Sequence, residues 1–391
     1  MYKILAQILI ILLASLDIFL TFLITKSLIR QAGLKKTFTR TEISDSKLLQ
    51  GQFLPLKTNE ATGELCTTME KTMEGARVFS YYKGADELSG DYFDCVELDK
   101  NHLAFIKCDV SGHGVSAAMI MIQVSTMFRE FLMELKEEGG NEEEALEGAV
   151  KKINDLIENR GFNDRFAAFV TGILDTSSGK VTLCNAGDSI INIYDGEKRE
   201  MKHVKLPNIP AAGIFRSDFI SPTVNYEATT LTLKKGDILY LFTDGIEESR
   251  HFLNKKGSSS SVEYFGSQRM DEILTAANRR EEYLLQKEIP RSRKQEFHLD
   301  FKNLEESPEG AVMAVIACEK LFRLKKAFPL SLKKTVMDKS TDDFLTLHCS
   351  EYLKMKKPSR NAQDKGIYIQ CLGLNEEEQT DDLTIMAIKK E

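Results

Sequence analysis

Residues 102–131 read HLAFIKCDVSGHGVSAAMIMIQVSTMFREF, and their period changes partway along. The run 103–108 is short and apolar, suited to a buried strand. Asp109 stands where that strand should end, and Ser111, Gly112 and Gly114 permit an abrupt turn. From Val115 the period is helical. Met121, Val124, Phe128, Phe131, Leu132 and Leu135 fall on one face, while Ala117 and Ala118 let a backbone pack close. A carboxylate fixed between a rigid strand and a rigid helix is pre-aimed, which suits a metal or a polarised water better than a loop would. Taken alone, the stretch is equally a strand–turn–helix in which Asp109 only forms the turn. His113, a lone histidine in a Gly-rich turn, reads as structural.

Composition sets the bounds. The 391 residues suffice for two average domains or one large one with additions. Hydrophobic content of 42% and charged content of 28% belong to an ordinary globular protein with a sizeable core. A formal net charge of −7 argues against nucleic acid as a partner, because duplex binding needs a basic surface. The seven cysteines (66, 95, 108, 184, 318, 349, 371) are scattered and contain no C-x-x-C pair. Buried thiols in a reducing compartment fit that pattern better than a disulfide framework or a zinc site.

Toward the N-terminus, residues 4–24 (ILAQILIILLASLDIFLTFLI) are about long enough to cross a bilayer. Asp17 is costly at the centre of such a span. A signal peptide would want a small-residue cleavage site, which is missing, and a soluble helix would want a polar face. A membrane anchor is the expectation. Lys26, Arg30, Lys35, Lys36 and Arg40 follow it with only Lys3 before it, so the positive-inside rule puts the rest in the cytoplasm, at the inner membrane. No extracytoplasmic domain is expected ahead of it. Residues 25–75 read as a juxtamembrane linker with one helix at 46–53, and a folded domain is expected over 76–391.

Within that domain, VFSYYKG (78–84) reads as a strand entering a turn, strands are expected at 93–98 and 103–108, then helices at 115–136 and 142–159. After Gly161 come short apolar runs, FAAFVTGILD, KVTLCNAG and SIINIY, then a loop at 207–213 and a strand at 238–242. Helices are expected at 270–286, 310–327 and 341–355, preceded by a flexible link at 257–261 (GSSSS). The last strand is 383–389. Strand runs interrupted by paired helices indicate an α+β fold rather than alternating β-α units.

Four aspartates share a setting. Asp91 precedes a strand, Asp109 and Asp244 end strands, and Asp381 precedes the last one, each beside a small or polar neighbour. Such an all-oxygen set suits hard ions such as Mg²⁺ or Mn²⁺ rather than zinc. Any one of them alone is an ordinary turn residue.

The segments SGDYFD (89–94), DVSGHGVSAA (109–118), NAGDS (185–189), FTDGIEES (242–249) and TDDLT (380–384) resemble, in order and spacing, the motifs of the PPM-type, metal-dependent serine/threonine protein phosphatases. The match is best to the bacterial SpoIIE-like, RsbU-like branch, over about 76–250 and again at 378–390. The resemblance implies a four-layer α-β-β-α sandwich holding two Mn²⁺ or Mg²⁺ ions. By position, Asp109 would bridge both ions, Asp244 and Asp381 would complete one and Asp91 the other, with the Val110 carbonyl as a further ligand. Asp109 and Asp244 are then the expected catalytic pair, and His113 and Asp382 shape the turn around them. Two cations would activate a water, so no covalent nucleophile is expected.

This chain departs from that pattern in three places. Ser89–Gly90 stands where the branch commonly has two glycines, and Asp188 where it usually has His. The stretch between YFG (264–266) and Asp381 is longer than usual, which implies a helical insertion over 290–375 before the last strand. No phosphate-binding arginine can be named, so the substrate-binding residues are unknown. The resemblance implies a membrane-tethered phosphatase acting on a phosphorylated signalling protein, such as an anti-sigma antagonist in sigma-factor regulation. A catalytically inactive scaffold of the same fold is the alternative. The oligomeric state is left open, a homodimer included.

Overall fold

The break after Asp109 falls where the period changes: His102–Val110 is extended and Val115–Glu138 is helical. Gly112 and Gly114 between them both have φ of 77°, the left-handed backbone that glycine adopts without steric cost. A Cβ on Gly112 would also collide with the Arg165 guanidinium.

The computed structural model describes residues 45–59, 63–161, 165–220, 226–253, 262–289, 293–326, 338–350, 374–376 and 379–391. It divides into two units, 1–49 and 50–391, of which the second carries the fold. The anchor expected at 4–24, the basic cluster behind it and the link at 257–261 lie outside the described residues, as do 351–355 of the helix expected at 341–355.

In chain order the strands are β1 Thr68–Met73, β2 Ala76–Lys83, β3 Tyr92–Glu97, β4 His102–Val110, β5 Ala167–Asp175, β6 Lys180–Ala186, β7 Ile190–Asp195, β8 Glu200–Lys205 and β9 Thr229–Thr232. They continue with β10 Ile238–Phe242, β11 Arg250–Phe252, β12 Val262–Tyr264, β13 Glu282–Ile289, β14 Arg293–Asp300, β15 Leu324–Lys326, β16 Leu374–Glu376 and β17 Leu383–Lys390. The helices are α1 Val115–Glu138, α2 Glu142–Arg160, α3 Ser217–Ile220, α4 Gly266–Arg279, α5 Pro308–Arg323 and α6 Lys339–His348. This is a mixed α+β architecture.

Two antiparallel sheets organise these elements. The five-stranded sheet runs β3-β4-β5-β6-β9, and the six-stranded sheet runs β1-β2-β17-β10-β7-β8. The last strand is therefore an interior one, paired along its full length with β2 from Leu383↔Lys83 to Lys390↔Ala76. Strand periodicity sends alternate residues of the six-stranded sheet to different cores. Val78, Leu239, Leu241, Met386 and Ile388 join the core built by β3–β6, α1 and α2. Phe79, Tyr81, Ile238, Tyr240, Ile385 and Ala387 join the core built with α4 and α5.

The apolar faces of both long helices are buried, with Leu135 near the end of α1 half-buried. Met121, Val124, Phe128, Phe131 and Leu132 of α1, and Leu146, Val150, Ile153 and Ile157 of α2, all lie inside. The Asn141 side chain accepts from the Glu143 N–H at the start of α2, and Gly161 closes the helix in left-handed backbone. Among the described residues α1 is the one helix long and apolar enough to cross a membrane by length and composition. It packs on β4 and α2 as a core helix.

The structure corrects three expectations. The stretch read as linker to residue 75 contains β1, which pairs with β2 from Thr68↔Tyr81 to Met73↔Ala76. Its TMEKTM sequence is too polar to announce a strand, and pairing with an already buried neighbour supplies what its side chains lack. The helix expected over 270–286 ends at Arg279, because Arg280 takes left-handed backbone at φ 58°. Residues 282–289 then pair with 293–300 as a hairpin. Finally, the region expected as a helical insertion over 290–375 opens with β14 and supplies part of the core. Every residue of α5 except Glu309 is buried, and α5 packs on β2 and β17. A helix buried all round belongs to the interior.

That helix carries a charge cluster into the core. Glu319, Lys320 and Arg323 are at most 1% exposed, and Glu319 accepts from Arg323 and from the Ser249 hydroxyl. Burial pushes the Glu319 carboxyl up, but Arg323, Lys320 and Ser249 outweigh it and hold it at about 2. A carboxyl held below its unfolded value adds stability above the unfolded pKa and loses it as pH falls through the folded one. Glu319→Gln should therefore cost roughly 3–5 kcal/mol at pH 7, the scale for breaking a buried ion pair. Urea denaturation at pH 7 and pH 3 checks this; the deficit should be smaller at pH 3, and an equal deficit at both would contradict the assignment.

Candidate active site

The four aspartates come from two neighbouring strands in each sheet. β3 and β4 pair with Tyr92 opposite Cys108, so Asp91 and Asp109 fall opposite each other just beyond that pair. β10 and β17 pair with Phe242 opposite Ile385, and Asp244 and Asp381 sit on the segments that extend them at the same end. Like charges placed opposite one another repel, and burial strengthens the effect. The Asp91 carboxyl is pushed well above its ordinary value by burial, then by Asp109 and Asp382. The Asp109 carboxyl is pushed up to about 7 by burial and Asp244, with Asp381 adding and Lys107 opposing. Burial also raises the Asp381 carboxyl, helped by Asp244 and opposed by the backbone N–H of Asp382.

Hydrogen bonds tie the two sheets together here. Asp91 Oδ2 accepts from Thr243 Oγ1 at 2.8 Å and from the Thr384 hydroxyl, so a carboxylate of one sheet is oriented by two strands of the other. The Asp382 carboxylate accepts from the N–H groups of Ala85 at 2.7 Å and Gly90 at 2.8 Å, clamping the loop that leads to Asp91. Gly90 is required by close approach, since a Cβ there would lie 2.8 Å from the Val110 carbonyl oxygen and 3.1 Å from Ala117 Cβ. At Gly245 a Cβ would overlap the Asp382 carbonyl. Asp382 thus acts as the positioning group that its motif suggested.

The remaining sequence candidates fall into place around this cluster. His113 pairs with Asp86 at 2.6 Å and is 63% exposed, which fits a turn-forming role. Arg165 donates to the Ser111 carbonyl and covers the turn at Gly112. Asp188, whose role the motif left undefined, is the ion-pair partner of Lys107. Sequence reasoning did not single out Lys107, Thr243 or Thr384. The signal for Lys107 was a lysine inside an apolar strand; Thr243 and Thr384 adjoin the aspartates within the quoted motifs.

A cleft of about 570 Å³ opens beside the aspartates, lined by Lys107, Asp109, Asp188, Asn192, His203 and Asp244 among others. Among the described residues no three His, Cys, Asp or Glu side chains are drawn tightly enough together to hold a metal ion as they stand. The donor chemistry nevertheless fits hard divalent cations: carboxylate oxygens, a backbone carbonyl at Val110, and neither thiol nor imidazole among the four aspartates' partners above.

The family described as Stage II sporulation protein E (SpoIIE) matches residues 99–297, just over half of the chain. Protein IcfG of Synechocystis sp. is 26% identical over 270 residues, covering 64% of this chain and 38% of that protein. Phosphoserine phosphatase RsbP of Bacillus subtilis is 22% identical over 170 residues, covering 44% of this chain and 39% of that protein. The matches thus span about two fifths of the length of these relatives. Among solved structures, the SiaA-PP2C domain of Pseudomonas aeruginosa is similar with a TM-score of 0.51 at 16% identity, over 91% of this chain and 98% of that one. That likeness gives the chain a PP2C-like fold.

The crowding of carboxylates has a measurable consequence. With a folded value of about 7 against roughly 3.9 unfolded, ionising Asp109 penalises the folded state increasingly from about pH 4 to pH 7. Asp109→Asn removes that penalty. In chelator, thermal melts should show the variant more stable by roughly 1–4 kcal/mol above pH 7 and equal to the parent below pH 4. A variant less stable at pH 8 would show that repulsion does not dominate at this position.

Proposed function

This chain belongs to the SpoIIE family of PPM-type phosphatases, and from that premise we propose that it hydrolyses phosphoserine and phosphothreonine on a signalling protein. The observation that carries the proposal is that Asp91 and Asp109 of one sheet and Asp244 and Asp381 of the other lie at strand ends close enough to raise one another's carboxyls, with Asp91 held by Thr243 and Thr384 across the sheets. Under this reading the two sheets and their flanking helices form the four-layer α-β-β-α sandwich, a reading supported by the alternation of buried residues between two cores.

Asp109 would bridge two Mn²⁺ or Mg²⁺ ions, with Asp244 and Asp381 on one, Asp91 on the other and the Val110 carbonyl as a further ligand. Such ions supply a water of lowered pKa and neutralise charge on the phosphoryl oxygens. The chain's own part is to fix the geometry. Thr243 and Thr384 hold the Asp91 carboxylate, and Asp382 keeps the Gly84–Gly90 loop against the end of β4. No covalent intermediate is required under this reading; among the described residues Cys95, Cys108, Cys184, Cys318 and Cys349 are buried and Cys66 is half-buried. Burial raises the Cys108 thiol well above its ordinary value, and Asp109 adds to this, so it makes a poor nucleophile.

The substrate reading rests on two supports. RsbP is a phosphoserine phosphatase by name, and the motif resemblance points to a phosphorylated antagonist of an anti-sigma factor. We further place the enzyme at the cytoplasmic face of the inner membrane, tethered by residues 4–24, on the apolar sequence and the basic residues that follow it.

Each half has its own test. The purified protein with Mn²⁺ should dephosphorylate a phosphoserine protein, lose activity by orders of magnitude in chelator, and leave nucleotides largely untouched. Asp244→Asn should behave as the chelated enzyme does. Inactivity of the folded parent with either ion would point instead to a binding module of the same fold. For the tether, carbonate extraction should leave the protein in the membrane fraction, and protease added to intact cells should spare residues 76–391; release into the soluble fraction would refute it.

A further inference from the structure

We infer that Lys107 is the residue of this chain that reads the phosphoryl group of the substrate, and that Asp188 parks its ammonium when the cleft holds none. The inference rests on the phosphatase reading above and adds a substrate contact that the motifs do not supply.

Lys107 lies two residues before Asp109 on β4, so the two side chains leave the same face of the strand. Its side chain is 7% exposed, and both it and Asp109 line the cleft that also holds Asp244. The residues around it in the strand, Ala104, Phe105, Ile106 and Cys108, are all buried and apolar. A lysine buried among them loses most of its hydration, and an apolar residue of similar volume would serve packing at least as well. The ammonium is instead held by the Asp188 carboxylate, which reaches it from the loop between β6 and β7 and is itself 19% exposed.

The chemistry of the cleft explains what such a cation can do. A phosphoryl group entering here meets Asp109, Asp244, Glu247 and Asp271, all of which repel it. His203 and Lys205 also line the cleft, but His203 is engaged with Asp271 at 2.9 Å and Lys205 is exposed. Lys107 is the buried cation of the set. An ammonium is a compact point charge with three donors, suited to non-bidentate contact with phosphate oxygens. Exchanging Asp188 for a phosphoryl oxygen keeps it paired throughout and makes or breaks no covalent bond.

The test compares Lys107→Met, Lys107→Arg, Asp188→Asn and the Lys107→Met/Asp188→Asn double variant with the parent, all as full-length protein. Binding of inorganic phosphate in the presence of Mn²⁺ is measured by calorimetry, alongside kcat and KM on a phosphoserine protein. Lys107→Met should weaken phosphate binding roughly 10–100-fold, the scale of a charge-assisted contact, and raise KM. Lys107→Arg should recover part of the affinity. The double variant should stay as weak as Lys107→Met. Recovery of parental affinity in the double variant would mean that Lys107 serves only to neutralise Asp188, and the inference would fall. If Lys107→Met does not fold, Asp188→Asn decides alone: it should bind phosphate at least as tightly as the parent, and a tenfold loss would overturn the proposal. A parent that binds phosphate through Lys107 but turns over no phosphoprotein would refute the phosphatase reading and leave this inference standing. Turnover unchanged by Lys107→Met would do the reverse.

Discussion

One contact ties the two sheets together at the candidate site: the buried Asp91 carboxylate accepts hydrogen bonds from Thr243 and Thr384. Asp91 belongs to the edge of β3, and the two threonines to the ends of β10 and β17. Sheet packing through apolar side chains is non-directional and tolerates small sliding. A carboxylate gripped by two hydroxyls does not, because hydrogen bonds weaken steeply with distance and angle. This tie fixes how the ends of the two sheets align, and with it the spacing of Asp109 from Asp244 and Asp381.

Holding so many acids together has a cost that other parts of the structure offset. Asp91, Asp109 and Asp381 are all pushed upward, chiefly by burial and then by one another. Asp91 is held by two threonine hydroxyls, Asp381 by the N–H of Asp382, and Asp109 is opposed by the Lys107 ammonium, while the N–H groups of Ala85 and Gly90 hold the neighbouring Asp382 carboxylate. Such a set of carboxylates is strained as it stands, and neutralising any of its charges would relieve the strain. Perturbed carboxylates gathered in a cleft mark functional sites on this physical ground.

Support for the site also comes from the far side of the six-stranded sheet. Ser249, at the end of the turn that begins with Asp244, donates its hydroxyl to Glu319 on α5 and lies 3.0 Å from the Gly245 carbonyl. Glu319 is in turn held by Arg323. The helix that sequence spacing suggested as an insertion is therefore both a core layer and the anchor of the 244–249 turn. Its buried charges set a preferred register between α5 and the 244–249 turn, which apolar contacts alone would specify less sharply.

Local patterns were enough for much of this. The strand–turn–helix around Asp109, the apolar faces of α1 and α2, the strand preceding Asp244 and the last strand are all legible, because period 2 and period 3.6 are properties of neighbouring residues. The four aspartates were legible as a set from their motifs, and in the structure Asp109 interacts with Asp91, Asp244 and Asp381. What sequence could not decide depends on partners distant along the chain. β1 and the β13–β14 hairpin have weak patterns of their own, and pairing with a neighbour defines them. That α5 is interior follows from the sheet against which it is buried, not from its composition. The grip of Thr243 and Thr384 on Asp91 spans 152 and 293 residues, and the pairing of Lys107 with Asp188 spans 81. Contacts at such separations are set by how two sheets come to face each other, and only the folded chain brings those side chains within reach.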